Sequence, residues 1–166
     1  MSFTINPAQA ADLDQIMIIE HAGFSPAEAA TSASMAERIA LISDTFLVAK
    51  QGEEVVGYVV GPAFGQRYLT DALFEKSTPN TTEDAYQTVL SLAVSPDHRG
   101  AGIASHLLTA LATVARQQRR QGITLTCLKR LVPFYEANGY VNEGVSASTH
   151  AGETLSLIHI SEPTRP

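Results

Sequence analysis

The sequence predicts a single-domain α/β fold with a mixed central sheet flanked by helices, on three observations. Strand-like and helix-like stretches follow one another in the order β-α-α-β-β-β-α-β-α-β, the pattern of a layered α/β domain. A chain of 166 residues, 45% hydrophobic and 17% charged, suits one sizeable core and is too apolar for disorder. One glycine turn, HRGAGIAS from His98 to Ser105, joins a strand to a long helix in the middle of that order.

Taken in order, FTINP (Phe3 to Pro7) is a short strand, and Pro7 after the polar Asn6 is a helix start, because a proline at the first helical position loses no needed N–H. Leu13, Ile16, Met17 and Glu20 then share one helical face. SPAE, from Ser25 to Glu28, is a capping box that opens a second helix carrying Met35, Ile39 and Ile42. TFLVAKQGEEVVGYVVG reads as two Val-rich strands around a turn at Gly52. Between Gly65 and Glu83 the chain holds one helical turn, TDALFEK, and runs into the polar STPNTTED, the segment expected to be most flexible. AYQTVLSLAV, from Ala85 to Val94, is a buried strand, and the glycine turn and long helix follow it. In that helix Ile103, Leu107, Leu111 and Val114 make the core stripe, while Arg116, Arg119 and Arg120 gather as a solvated cluster where cations suit the dipole. ITLTCL is a further buried strand, RLVPFYEANG a short helix stopped by Gly139, and YVNEGVS another strand. No internal repeat, linker or second domain interrupts the pattern.

Composition excludes several classes of partner. The formal charge of −6, the pI near 5.3 and only 11 Lys plus Arg leave no basic face for nucleic-acid phosphates. Cys127 is the single cysteine, so no internal disulfide forms and no oxidising compartment is needed. The N-terminus lacks a basic stretch followed by an apolar one, and no apolar run approaches a membrane span, so a cytoplasmic protein without a membrane partner is expected.

The chemistry centres on the glycine turn. Gly100 and Gly102, with Ala101 and Ala104, clear side chains from the point where strand feeds helix, so a ligand can reach the unpaired N–H groups of the first helical turn. Those donors and the helix dipole favour an anion, above all a pyrophosphate. A merely tight turn uses the same small residues. Without a Gly-Lys-Ser/Thr ending it is no Walker A loop. The dinucleotide fingerprint fails as well: Ser105 stands where its third glycine belongs, and the next strand ends at Cys127, Leu128, Lys129 and Arg130 without an acid for a ribose.

LAVSPDHRGAGIASHLL resembles the acetyl-CoA signature of the GCN5-related N-acetyltransferase (GNAT) superfamily, with Arg99, Gly102 and Ala104 on its Arg/Gln, Gly and Gly/Ala positions. VPFYEANGY, about thirty residues on, resembles the second signature of that superfamily, and the likeness covers residues 2 to 155. Within it, IEHAGF, LAV and CLKRLVPFYE are most similar to the arylalkylamine (serotonin-type) branch. The resemblance implies a GNAT fold with a mixed, mostly antiparallel sheet, acetyl-CoA as co-substrate, and transfer of an acetyl group to a small primary amine by a monomer or homodimer. It also implies that the backbone of Leu92, Ala93 and Val94 holds the pantetheine arm. Arg99, Gly100, Ala101, Gly102, Ile103, Ala104 and Ser105 fall on the pyrophosphate cradle, and Tyr135 falls on the tyrosine that protonates the departing thiolate. A phenol is protonated at neutral pH and suits that task.

Two departures qualify the likeness. The branch carries two histidines on its central strand to deprotonate the amine, and Thr88 and Leu90 occupy those positions here. Glu20, reached through water and aligned with a family glutamate, is the first substitute base, with Asp84 and Glu83 next. His21, His98, His106 and His150 have no ligand spacing, so no metal is assigned, and Cys127 reads as a small buried strand residue. The second departure is SLIHISEPTRP, because Ser156 to Arg165 back-translate in one frame as TCTCTTATACACATCTCCGAGCCCACGAGA, a transposase sequencing adapter. Residues 1–155 are therefore expected to be the GNAT domain and 156–166 a non-native tail, although ETLSLIHI alternates enough to imitate the last strand of the family. Two other functions stay open, a catalytically silent acyl-CoA-binding or regulatory module and a peptide N-terminal acetyltransferase.

Overall fold

The computed structural model describes residues 3–26, 29–66, 69–70, 72–127, 129–145 and 153–158. In chain order the elements are β1 (Thr4–Pro7), α1 (Leu13–Gly23), α2 (Ser32–Leu41), β2 (Phe46–Gln51), β3 (Glu54–Val60), β4 (Ala63–Phe64), α3 (Ala72–Glu75), β5 (Tyr86–Val89), β6 (Ser91–Val94), α4 (Ile103–Gln117), β7 (Gly122–Cys127), α5 (Val132–Ala137), β8 (Val141–Val145) and β9 (Glu153–Ile158). They build the α/β architecture expected, a mostly antiparallel sheet system flanked by helices. One sheet has the order β1-β2-β3-β6, antiparallel throughout, and the other the order β4-β5-β7-β9-β8, in which β5 and β7 run parallel.

Period-two alternation sorts the core onto the two faces. In β2, Leu47 and Ala49 pack with Ile103, Leu107 and Leu111 of α4, while Phe46 and Val48 pack with Ile16 and Ile19 of α1 and Met35 and Ile39 of α2. Each fully buried Leu or Ile contributes roughly 1.5–3 kcal/mol, so the two helix layers clamp the sheet from both sides. The α4 stripe includes Leu108 and Ala115 among its buried residues, and Val114 is half-buried.

Five local expectations are corrected. Pro7 ends β1 opposite Leu47, where the edge strand tolerates its missing N–H, and the helix is entered later, after Gln9 N–H donates to Asp12 Oδ2 at 2.9 Å. The second helix, α2, starts at Ser32 and not at Ser25: Thr31 is the cap, its Oγ1 accepting from Ser34 N–H at 3.0 Å, and of the SPAE box Ala27 and Glu28 lie outside the described residues. Just before it the Ala30 N–H is drawn to Glu20. Arg120 is buried instead of solvated. A left-handed Arg119 (φ 63°) lets Arg120 N–H reach Ala115 O at 2.9 Å in a Schellman turn, and the Arg120 guanidinium donates to Thr81 O and Asp84 O at 2.5 and 2.6 Å. The polar 77–84 stretch is thereby anchored, with Asn80 also held by Asp44, Thr45 and the Ala63 N–H.

The fifth correction shapes the site. Ala85–Val94 is two strands: Leu90 bends the chain, β5 pairs with β7 and β4, and β6 crosses over to β3. At the crossing a Cβ on Gly61 would lie 2.0 Å from Thr88 O, so only glycine lets β3 and β5 approach so closely. The strand expected from ETLSLIHI forms as β9, pairing from Gly122↔Ile158 to Cys127↔Glu153 and with β8 on its other side.

Candidate functional site

Because β6 departs from β7, a wedge opens between them and runs into a cavity of about 1090 Å³. Ser95 N–H donates to Val56 O at 2.8 Å, and an antiparallel ladder bonds alternate residues to one side. Ser91 and Ala93 therefore bond toward β3, and Leu92 and Val94 turn their N–H and C=O groups to the wedge. Val94 O accepts from Arg99 Nε at 3.3 Å, which lays the arginine along that edge.

The turn after β6 is held open by conformation. Gly100 (φ 87°) and Gly102 (φ 79°) are left-handed, and Gly102 caps α4, whose first N–H groups have no intrahelical partner. His106 Nδ1 sits 2.8 Å from Gly102 O, and the Phe3 ring meets the His106 ring at 81°, so the cradle is braced from outside. Orphan donors and the positive end of a 15-residue helix converge there on space fit for an anion.

Across the wedge stands Tyr135 of α5, buried between Phe134 and Tyr140, with ring centroids 5.1 and 5.6 Å away. Burial, reinforced by the neighbouring Cys127 thiol, pushes its phenol well above the usual 10, which keeps the proton on oxygen.

The far end of the cavity is built from side chains. Glu20, 2% exposed, accepts at Oε1 from Tyr58 Oη and from Ser91 Oγ (2.7 Å), and at Oε2 from Ala30 N–H (2.8 Å). Burial, with the Glu20 charge and the hydrogen bond to it acting the same way, pushes the Tyr58 phenol well up. Arg38 of α2 is also 2% exposed; burial lowers its pKa from the ordinary guanidinium value while the Glu20 carboxylate acts against that shift.

Glu20, Leu92, Ala93, Val94, Arg99, Gly100, Gly102, Ile103, Ala104, Ser105 and Tyr135 all line this one cavity. Ala101 does not; it faces a smaller hollow beside Phe3 and Gln51. Thr88 is buried with its hydroxyl donating to Pro62 O at 2.7 Å, and Leu90 is on the cavity wall. Glu83 and Asp84 are not on that wall, and Asp84 Oδ2 accepts from Thr81 Oγ1. Cys127 is buried as expected and reaches the wall beside Tyr135. Among the described residues no group of three His, Cys, Asp or Glu could hold a metal, and His150 lies outside them. Sequence reading missed Arg38, Tyr58 and Ser91. Arg38 left one signal: it falls between Met35 and Ile39 on the helical stripe, where a charge is out of place.

A family model for the acetyltransferase (GNAT) domain matches residues 43–142. No curated protein sequence matches the chain. Among solved structures, it is similar to the loading GNATL domain of CurA from Lyngbya majuscula, with 13% identity and a TM-score of 0.82 over 98% of this chain and 100% of that one. Ard1 from Thermoplasma volcanium gives 19% identity and 0.74 over 95% and 98%. N-acetylglutamate synthase from Neisseria gonorrhoeae, complexed with coenzyme A and N-acetyl-glutamate, gives 12% and 0.74 over 96% of this chain and 35% of that one. At these identities the likeness to the structures speaks for the fold.

Proposed function

The chain belongs to the acetyltransferase (GNAT) family, and on that premise we propose that it transfers the acetyl group of acetyl-CoA to a small primary amine by direct attack. The carrying observation is that one cavity joins a backbone-lined wedge, a glycine-capped helix start, a protonated phenol and a buried carboxylate.

The residues divide the work. The N–H groups of the α4 start and Arg99 hold the pyrophosphate, and the wedge edge of Leu92 and Val94 bonds the amide-bearing arm and polarises the thioester carbonyl. The amine nitrogen attacks the carbonyl carbon, a C–N bond forms, and the C–S bond breaks. Tyr135 gives its proton to the leaving sulfur. The nitrogen loses a proton through water toward Glu20, since Thr88 and Leu90 offer no titrating group. The similarity of IEHAGF and CLKRLVPFYE to the arylalkylamine branch supports an acceptor of modest size with one amine.

Among the described residues no helix is long and apolar enough to cross a membrane, and the lone Cys127 needs no oxidising compartment, so the cytoplasm is the proposed location. The proposed catalytic domain is 1–155, with 156–166 read from adapter DNA; resequencing the source locus in an adapter-free library tests this, and recovery of the same codons refutes it. Free-CoA release across an amine panel tests the activity. Release with at least one amine is expected, whereas acetyl-CoA binding without release for any of them makes the chain a binding module.

A further inference from the structure

Glu20, at the end of the cavity closed by the α1–α2 segment, is shielded by the groups bonded to it. It is 2% exposed; Tyr58 and Ser91 donate to Oε1, the Ala30 N–H donates to Oε2, and the Arg38 guanidinium of α2 adds an opposite charge. A proton leaving an amine in the cavity meets this ring of donors on its way to the carboxylate.

The members of the ring are not equivalent. The Ala30 donor is a main-chain amide, and a guanidinium has no acceptor atom and stays charged, so neither hands a proton on. Tyr58 is fully buried behind the cavity wall, and its phenol, which faces both Glu20 and Ser91, keeps its proton because burial pushes its pKa up. Ser91 differs from all three: it is on the wall, 4% exposed, with Oγ 2.7 Å from Glu20 Oε1. A hydroxyl has one proton to give and two acceptor lone pairs. With the proton committed to the carboxylate, the lone pairs are what an ammonium N–H can meet. The main chain of Ser91 is fixed by its pairing with Val60 of β3, and the residue directly precedes Leu92, whose edge the proposed mechanism sets on the thioester.

We propose that the Ser91 hydroxyl is the proton relay between the acceptor amine and Glu20. This deepens the acetyl-transfer reading and rests on it. As an ammonium N–H bond breaks, a new Oγ–H bond forms, while the original Oγ–H bond breaks and an Oε1–H bond forms. No electrons are gained or lost, Ser91 ends the step as a hydroxyl, and the nitrogen keeps the lone pair that attacks the thioester. The step matters because an alkylammonium, with a pKa near that of lysine, is neutral in only about one molecule in a thousand at neutral pH.

Two acceptors of similar shape test it, phenethylamine and its analogue bearing two benzylic fluorines. The fluorines withdraw electrons and leave that nitrogen largely unprotonated at about pH 8, where phenethylamine is an ammonium. In Ser91→Ala, kcat/KM from free-CoA release is expected to fall roughly tenfold or more further for phenethylamine than for the fluorinated amine, and Ser91→Thr, which keeps a hydroxyl, restores part of that difference. A merely structural hydroxyl would lower both amines alike, so equal losses overturn the relay, as does unchanged turnover of phenethylamine. The wild type supplies an arm that needs no variant to fold. Single-turnover acetylation should slow more in heavy water for phenethylamine than for the fluorinated amine, and equal slowing overturns the inference. CoA release from neither amine counts against acetyl transfer to small amines itself and takes the relay with it, a failure distinct from turnover that does not depend on Ser91.

Discussion

The two ends of the cavity are made of different material. The wedge and cradle are main chain, namely the free edge of β6, two left-handed glycines and the first N–H groups of α4, all within one continuous stretch of sequence. The Glu20 end, where the acceptor is proposed to sit, is side chain, and its parts are far apart: Tyr58 is 38 residues from Glu20, and Ser91 is 71. A phosphate-bearing cofactor needs donors at fixed positions, which backbone supplies whatever the neighbouring side chains are. Selecting one amine needs particular side chains, which only tertiary folding brings together.

The largest expected effect breaks the main-chain end. Gly102→Asp forces an L-residue into a left-handed conformation, costing roughly 1–2 kcal/mol of stability, and sets a carboxylate at the proposed pyrophosphate cradle. It should abolish the rise in Tm that acetyl-CoA gives the wild type, as judged by thermal unfolding of a variant shown to be folded. Undiminished acetyl-CoA binding would remove the cradle from that turn. Tyr135→Phe comes next, with kcat expected to fall roughly tenfold to a thousandfold and the KM for acetyl-CoA little changed. An unchanged kcat when chemistry limits the rate would exclude the phenol as proton donor.

Glu20→Gln sharpens the contrast from the other end. An amide in place of a carboxylate that accepts from three donors leaves one donor poorly met, at a cost of about 1–3 kcal/mol, and kcat/KM for the acceptor should fall about tenfold while acetyl-CoA affinity holds. Parallel losses for both substrates would mean that the two ends are not separable. In the wild type, kcat/KM should climb with pH along the ionisation of the amine, near pH 10, without a histidine-like inflection between about 6 and 7.5. An inflection abolished by one His→Asn variant would identify another base.

The smallest effect is on alkaline stability. Tyr58, Tyr135 and Tyr140 hold their protons more tightly folded than unfolded, so the unfolded chain binds fewer protons once pH passes the ordinary value of 10. Their contribution is complete below pH 10 and is lost as pH rises further, which denaturant titrations between pH 8 and 11 can follow. A constant midpoint across that range would argue against their burial.

What could be read in advance follows the same division. Arg99, Gly102, Ala104 and Tyr135 were reached through the resemblance of two short contiguous motifs to the GNAT signatures, and all four line the one cavity. The break at Leu90 was not legible, since AYQTVLSLAV is uniformly strand-like and only the competing pairing of β3 and β7 divides it. The start of α2 at Ser32 was not legible either, since the Ala30 N–H just before the Thr31 cap is taken by Glu20 across ten residues, a partner that local sequence does not reveal. Arg120 was read as solvated because the carbonyls that bury it come from Thr81 and Asp84, nearly forty residues earlier in the chain.

The central claim is acetyl transfer from a thioester to nitrogen inside this one cavity, and product balance tests it most directly. Acetyl-CoA and an amine that turns over are incubated with the protein, and free CoA and N-acetylated amine are both quantified by mass spectrometry. The account predicts that the two appear one for one, with the acetyl group on nitrogen and Tyr135→Phe slowing both alike. CoA appearing with free acetate and no N-acetylated product would contradict it.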